Sequence, residues 1–222
     1  MIQTKSYGAP PYDRTEILRY AGARTESQEL AALLEECLAE AEGRLTYQVC
    51  FRELPVSEMD EQIDLGFAQS TSETLKKRLS GCAKCVVFAA TVGIAMDRLI
   101  SRYAVLSPTK ALLFQAIGAE RIEALCDAFE KEITEKKREE GLFTRPRFSA
   151  GYGDLPLTMQ KDIFAVLDCP RRIGLTLNES LLMSPSKSVT AIIGISTQEC
   201  DAERSEACRE CTQEACIHRR KA

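Results

Sequence analysis

CVVFAAT, residues 85–91, is an apolar run closed by a single threonine, with Lys84 before it and Gly93 shortly after. Its length is that of a strand. A half-buried strand alternates apolar and polar residues, whereas an unbroken apolar run needs cover on both faces. The run is therefore read as an interior strand, and the segments around it must supply a layer for each face. Downstream, IAMDRLISRYAVL (94–106) has a helical pattern, and Ser107-Pro108 opens a long helix to about residue 140, with proline at the first helical position. The second half of that helix, FEKEITEKKREEG (129–141), reads as a solvated face held by i,i+4 ion pairs. Upstream, IDLGFAQ (63–69) reads as a strand, and Ser70 with Glu73 as a capping box for the helix SETLKKRL (72–79).

Further out, LTYQVCFREL (45–54) alternates as a half-buried strand does, with Leu45, Tyr47, Val49 and Phe51 on one side. Asp13 and Glu16 cap a short helix, EILRYA, closed by Gly22. A second helix starts near Thr25 or Ser27, aligns Leu30, Leu33, Leu34, Cys37, Leu38 and Ala41 on one face, and ends at Gly43. Towards the C-terminus, LTMQKDIFAVL (157–167) is a short amphipathic helix, and RIGLTL (172–177) and SVTAIIGIS (188–196) are strands around the loop NESLLMSPSKS. Strands and helices do not alternate strictly, so the fold class is α+β, with a mixed or antiparallel sheet and surrounding helices. One domain is expected over residues 1–196, followed by a polar, cysteine-rich tail, 197–222.

The formal net charge of −4 and a pI near 5.3 speak against a nucleic-acid surface. No apolar run approaches the roughly 20 residues needed to cross a bilayer; the longest is VVFAATVGIAM, 86–96. The N-terminus has no apolar signal core, and the expected location is the cytoplasm. In that reducing setting the ten cysteines are thiols, metal ligands or redox groups rather than a disulfide frame. Cys37, Cys50, Cys126 and Cys169 read as small core residues; Cys82-x-x-Cys85 precedes the interior strand and is also read as core, with redox or metal chemistry as the alternative. The one histidine, His218, leaves the folded part without a serine- or cysteine-hydrolase triad.

The segment TRPRFSAGYGDLPL (144–157) packs almost nothing apolar. Gly151 and Gly153 bracket Tyr152, Arg147 stands just before them, and Pro146 and Pro156 stiffen the ends. Glycines let backbone groups approach a ligand, and a guanidinium grips a carboxylate through paired hydrogen bonds. The pattern suits an extended ribbon lining a small-molecule site; a structured loop with Tyr152 packed inward is the other reading.

R-F-S-A-G-Y-G-D-L-P resembles the R-P-A-P-G-Y-P-x-x-P motif of the activation domain of cobalamin-dependent methionine synthase. IGLTLNESLLMSPSKSVTAIIG (173–194) is similar to that family's I-G-x-x-L-T-E-S-x-x-M-x-P-x-x-S-V-S-G segment. The two motifs stand in the family's order and spacing and cover about 50 residues. The resemblance implies the family's fold and a protein that binds S-adenosylmethionine, docks on a cobalamin module, and supports reductive methylation of inactive cob(II)alamin. It implies a component of methionine synthase activity acting in trans on that enzyme or a related corrinoid protein, with flavodoxin or ferredoxin as reductant. By the same resemblance Arg147 holds the ligand carboxylate, Ser149 and Gly151 offer backbone groups, Tyr152 lies beside ligand and corrinoid, and Glu179 and Ser180 match the second motif, with Tyr152 and Glu179 as the candidate catalytic residues; a loop-anchoring hydrogen bond is the structural alternative for Glu179 and Ser180. Asp97 is the candidate partner for the ligand amine. Phe148, Ala150 and Gly153 stand where the motif has prolines, Thr190-Ala191 replaces its serine–glycine, and no tyrosine-bearing segment follows.

Cys200, Cys208, Cys211 and Cys216 crowd the tail, with His218 beside them. They suit tetrahedral zinc or an iron–sulfur cluster, which could deliver an electron, although the spacing matches no standard ferredoxin run. The tail has too few apolar residues to fold by burial, so it is either ordered by a metal or carries free thiols. The alternative function is a non-catalytic adaptor or an electron-transfer module with a cysteine-ligated metal tail.

Overall fold

The computed structural model describes residues 1–23 and 25–199. In chain order the elements are β1 (Gln3–Tyr7), α1 (Arg14–Tyr20), α2 (Gln28–Ala41), β2 (Tyr47–Pro55), β3 (Ser57–Glu58), β4 (Ile63–Asp64), β5 (Gln69–Ser70), α3 (Glu73–Leu79), β6 (Cys82–Thr91), α4 (Ile94–Leu106), α5 (Pro108–Glu139), β7 (Phe143–Thr144), α6 (Met159–Leu167), α7 (Cys169–Ile173), β8 (Thr176–Leu177), β9 (Met183–Ser184) and β10 (Ser188–Ser196). The main sheet runs β1-β2-β6-β10-β7, and every neighbouring pair is antiparallel. This is the α+β arrangement expected, with all pairings of the antiparallel kind.

β6 is the central strand, with Phe88 opposite both Phe51 of β2 and Ala191 of β10. Val86, Phe88 and Ala90 face a layer built from α1, α2, α4 and α5. Cys85, Val87 and Ala89 face a second layer built from α3, α6 and α7. Burial on both faces explains the unbroken apolar run without parallel strands. Phe88 packs on Phe129 of α5 with ring centroids 4.7 Å apart, and Phe129 on Phe51 at 5.1 Å. Each such ring removed from water stabilises the fold by about 1.5–3 kcal/mol.

Caps fix the helix starts. Asp13 accepts from the Glu16 amide, Ser27 from Leu30 and Ser107 from Lys110. Several expectations are corrected. IDLGFAQ is no single strand: Gly66, at φ +73°, turns β4 back on β5, and Asp64 accepts from the Gly66 amide. The α3 cap is Ser72 rather than Ser70. RIGLTL splits into the end of α7 and β8, because Gly174 at φ +65° stops the helix. The charged half of α5 is not simply solvated, since Phe129, Glu130, Ile133 and Lys137 are buried. There the helix lies along the sheet, and Lys137 is paired with Glu53 and Glu140. β1, unforeseen, is an exposed edge strand with too little apolar alternation to be read.

Candidate functional site

Residues 143–148 run along the open edge of β10. Arg145 donates its amide to Gly194, and Phe148 exchanges backbone hydrogen bonds with Ile192 at 2.9 Å each way. Consecutive side chains in extended backbone point to opposite faces. Phe148 accordingly packs into the α3–α6 layer, while Arg147 turns towards α5.

There the guanidinium meets three carboxylates. Nη1 donates to Asp127 Oδ1 at 2.7 Å and to Glu130 Oε2 at 2.5 Å, and Nη2 to Glu123 Oε2 at 2.7 Å. The Arg147 amide also donates to Glu130 Oε1 at 3.2 Å. Residues 123, 127 and 130 follow the i, i+4, i+7 spacing of one helix face. Arg147 and Glu130 are 15% and 7% exposed, Glu123 and Asp127 34% and 38%. Burial works against the charged guanidinium, but the surrounding negative groups more than offset it and its pKa rises. Three carboxylates around one guanidinium leave an excess of negative charge. None of the three was singled out in the sequence; their spacing was visible, but it is equally the spacing of a solvated face.

Past Phe148 the chain leaves the sheet and closes into turns rather than the extended ribbon expected. Gly151 (φ +89°) and Gly153 (φ +58°) bend it back, Tyr152 donates its amide to Ser149, Leu155 to Tyr152, and Gly151 to Leu155. Tyr152 is left at the crest, 65% exposed. It is not packed inward. Asp154 anchors the far side to the start of α3, and the Ser72 hydroxyl is the main reason its carboxyl is held well below the usual range.

Arg147, Ser149, Gly151 and Tyr152 thus share one loop. Glu179 and Ser180 lie elsewhere, exposed at the tip of the β8–β9 hairpin, which Asn178 closes by accepting from the Leu182 amide. That hairpin packs through Leu177 and Met183 into the α3–α6 layer, and no hydrogen bond or ion pair joins Glu179 to Arg147. Asp97 accepts from the Ser186 amide and is not a partner of Arg147. A cleft of about 310 Å³ opens beside the loop, between Gln62, Gln69 and Thr71 on one side and Pro156, Thr158 and Asp162 on the other; it includes neither Arg147 nor Tyr152.

Cys37, Cys50, Cys82, Cys85, Cys126 and Cys169 are all buried and unbridged. Burial pushes the Cys85 thiol up to about 12, which suits packing better than nucleophilic chemistry. Among the described residues no group of three or more His, Cys, Asp or Glu is placed to hold a metal. Cys200, Cys208, Cys211 and Cys216 lie outside the described residues. No described helix is long and apolar enough to cross a membrane.

Residues 68–201, more than half of the chain, match the family "Vitamin B12 dependent methionine synthase, activation domain". Thirteen chains of solved structures also match. One is the crystal structure of the MetH reactivation domain bound to AdoHcy, at a TM-score of 0.65 and 17% identity, covering 91% of this chain and 80% of that one. At that identity the likeness establishes the fold. No curated protein matches.

Proposed function

The chain belongs to the vitamin B12-dependent methionine synthase activation domain family, and from that premise we propose that it binds S-adenosylmethionine at the Arg147 loop and supports reactivation of cobalamin. In the proposed arrangement the cobalamin is carried by methionine synthase or a related corrinoid protein, and these 222 residues act on it in trans. The partner's cobalamin would supply the methyl-accepting chemistry, a flavodoxin- or ferredoxin-type donor the one electron, and S-adenosylmethionine the methyl group, with S-adenosylhomocysteine as the leaving product. The part of this chain is to bind, orient and exclude water.

The observation that carries the reading is the charge pattern at Arg147. An amino acid sulfonium brings one carboxylate and two positive groups, the ammonium and the sulfonium. The guanidinium suits the first. Glu123 and Asp127, the more exposed of its present partners, suit the others once the ligand carboxylate takes a place on Arg147. The Ser149 amide and Gly151 carbonyl, which have no hydrogen-bond partner among the described residues, supply backbone groups at the same place. Tyr152 offers an apolar face at the loop crest. Glu179, on its separate hairpin, is proposed to contact the docked partner rather than the Arg147 loop.

The test is a spectrum. Cob(II)alamin-loaded methionine synthase should convert to the methylcobalamin form when this protein, S-adenosylmethionine and a one-electron reductant are added together. No conversion, with calorimetry showing no binding of S-adenosylmethionine, rules the reading out.

A further inference from the structure

The turn that carries Tyr152 is tied to α3 by a single carboxylate. Asp154 Oδ1 accepts from the Ser72 hydroxyl at 2.5 Å and from the Thr74 amide at 3.2 Å, and Oδ2 accepts from the Glu73 amide at 2.7 Å. These amides open α3, where no carbonyl of the helix can reach them. Ser72 in turn accepts from the Leu75 amide at 3.0 Å. One cap is therefore intrinsic to the helix, and the other comes from a residue 80 or more positions away in sequence.

The approach is close enough to demand glycine. A Cβ added to Gly153 would stand 2.9 Å from Thr74 Oγ1 and 3.2 Å from Thr74 Cβ, and Gly153 sits at φ +58°. Proline, the motif residue at this position, holds φ near −65° and cannot make this turn. Gly153 and Asp154 thus work as a pair: the first lets the turn reach α3, the second fastens it there. The fastening passes to Tyr152 through short links, since the Leu155 amide donates to Tyr152 and the Gly151 amide to Leu155. Arg147 holds the other end against α5. Two glycines give the backbone on either side of Tyr152 many conformations to lose on folding.

We propose that Asp154 is the positioning residue of the loop: its carboxylate latches the Gly151–Gly153 turn onto α3 and so holds the backbone that carries Tyr152 in a fixed place. The consequence for ligand affinity rests on the function proposed above; the latch itself does not.

The chain has no tryptophan, so Tyr152→Trp gives the full-length protein a single fluorescent reporter on the crest. Its anisotropy and iodide quenching are compared with Asp154 intact, with Asp154→Ala and with Asp154→Asn. Anisotropy should drop and quenching rise in Asp154→Ala, and both should largely recover in Asp154→Asn, whose amide oxygen still caps a helix. Gly153→Ala should loosen the reporter in the same way with the carboxylate retained, and it serves if Asp154→Ala does not fold. In proteins that keep Tyr152, S-adenosylmethionine affinity should fall about tenfold in Asp154→Ala, the scale of a misplaced contact. A lower Tm with unchanged anisotropy and quenching would make Asp154 a helix cap only and overturn the proposal. If no form binds S-adenosylmethionine, the function above fails, while the reporter still decides the latch.

Discussion

Arg147→Ala should destabilise the protein by more than the loss of an exposed ion pair. Glu130, 7% exposed, would lose the guanidinium that it shares with Glu123 and Asp127. Breaking a buried pair by removing one partner costs about 3–5 kcal/mol. Glu123 and Asp127 are about one-third exposed, so water screens part of the repulsion, and the lower end, about 3 kcal/mol, is expected. In a domain of this size that corresponds to a fall in Tm of about 6–12 °C. Urea denaturation of both proteins at pH 7.5 should show the deficit as a lower midpoint. Arg147→Lys should recover only part of the loss, because a single ammonium cannot span three carboxylates as a planar fork does. A deficit below about 1 kcal/mol would place this cluster with ordinary surface pairs and refute the reasoning.

Calorimetry should find S-adenosylmethionine bound more tightly than S-adenosylhomocysteine, and Glu123→Gln with Asp127→Asn should erase most of the difference; equal affinities in the parent protein would remove the electrostatic argument. Phe88→Ala should lower stability by about 3–5 kcal/mol, because the ring is fully buried beside Phe51 in the sheet and against Phe129 of α5; a urea midpoint near that of the parent would contradict the packing described. Gly93→Ala should also destabilise, since its φ is +82° and a Cβ would stand 2.2 Å from Thr46 Oγ1; Thr46→Ala in the same protein should restore part of the loss in thermal melts. We further propose that Cys200, Cys208, Cys211 and Cys216 bind zinc or an iron–sulfur cluster, which anaerobic purification should reveal as stoichiometric metal; absence of both metals and of absorbance near 400 nm would end that proposal.

What could be read from residues alone was whatever neighbouring residues settle among themselves. The apolar run at 85–91 needed two covered faces and has them. Ser27, Ser107 and Asp13 cap the helices they precede, because a cap is a contact of three residues' span. The second long strand, 188–196, matches residue for residue. Two errors came from glycine turns, at Gly66 and Gly174, and another where a distant partner entered. Ser70 and Ser72 are equivalent as local caps, and Asp154, brought in from the other end of the chain, goes with Ser72.

The candidate site divides the same way. Residue types in the 144–157 segment pointed to an extended ribbon there, and its arginine, glycines and tyrosine lie close together because their spacing leaves little choice. Only the tertiary structure decided that Arg147 faces Glu123, Asp127 and Glu130, that the loop closes into turns, and that Glu179 sits on a separate hairpin. The reason is reach: hydrogen bonds along a chain are specified by short spacings, whereas an ion pair between a sheet edge and a helix 17 to 24 residues earlier depends on how two layers pack. That packing is a property of the whole core, and no local pattern encodes it.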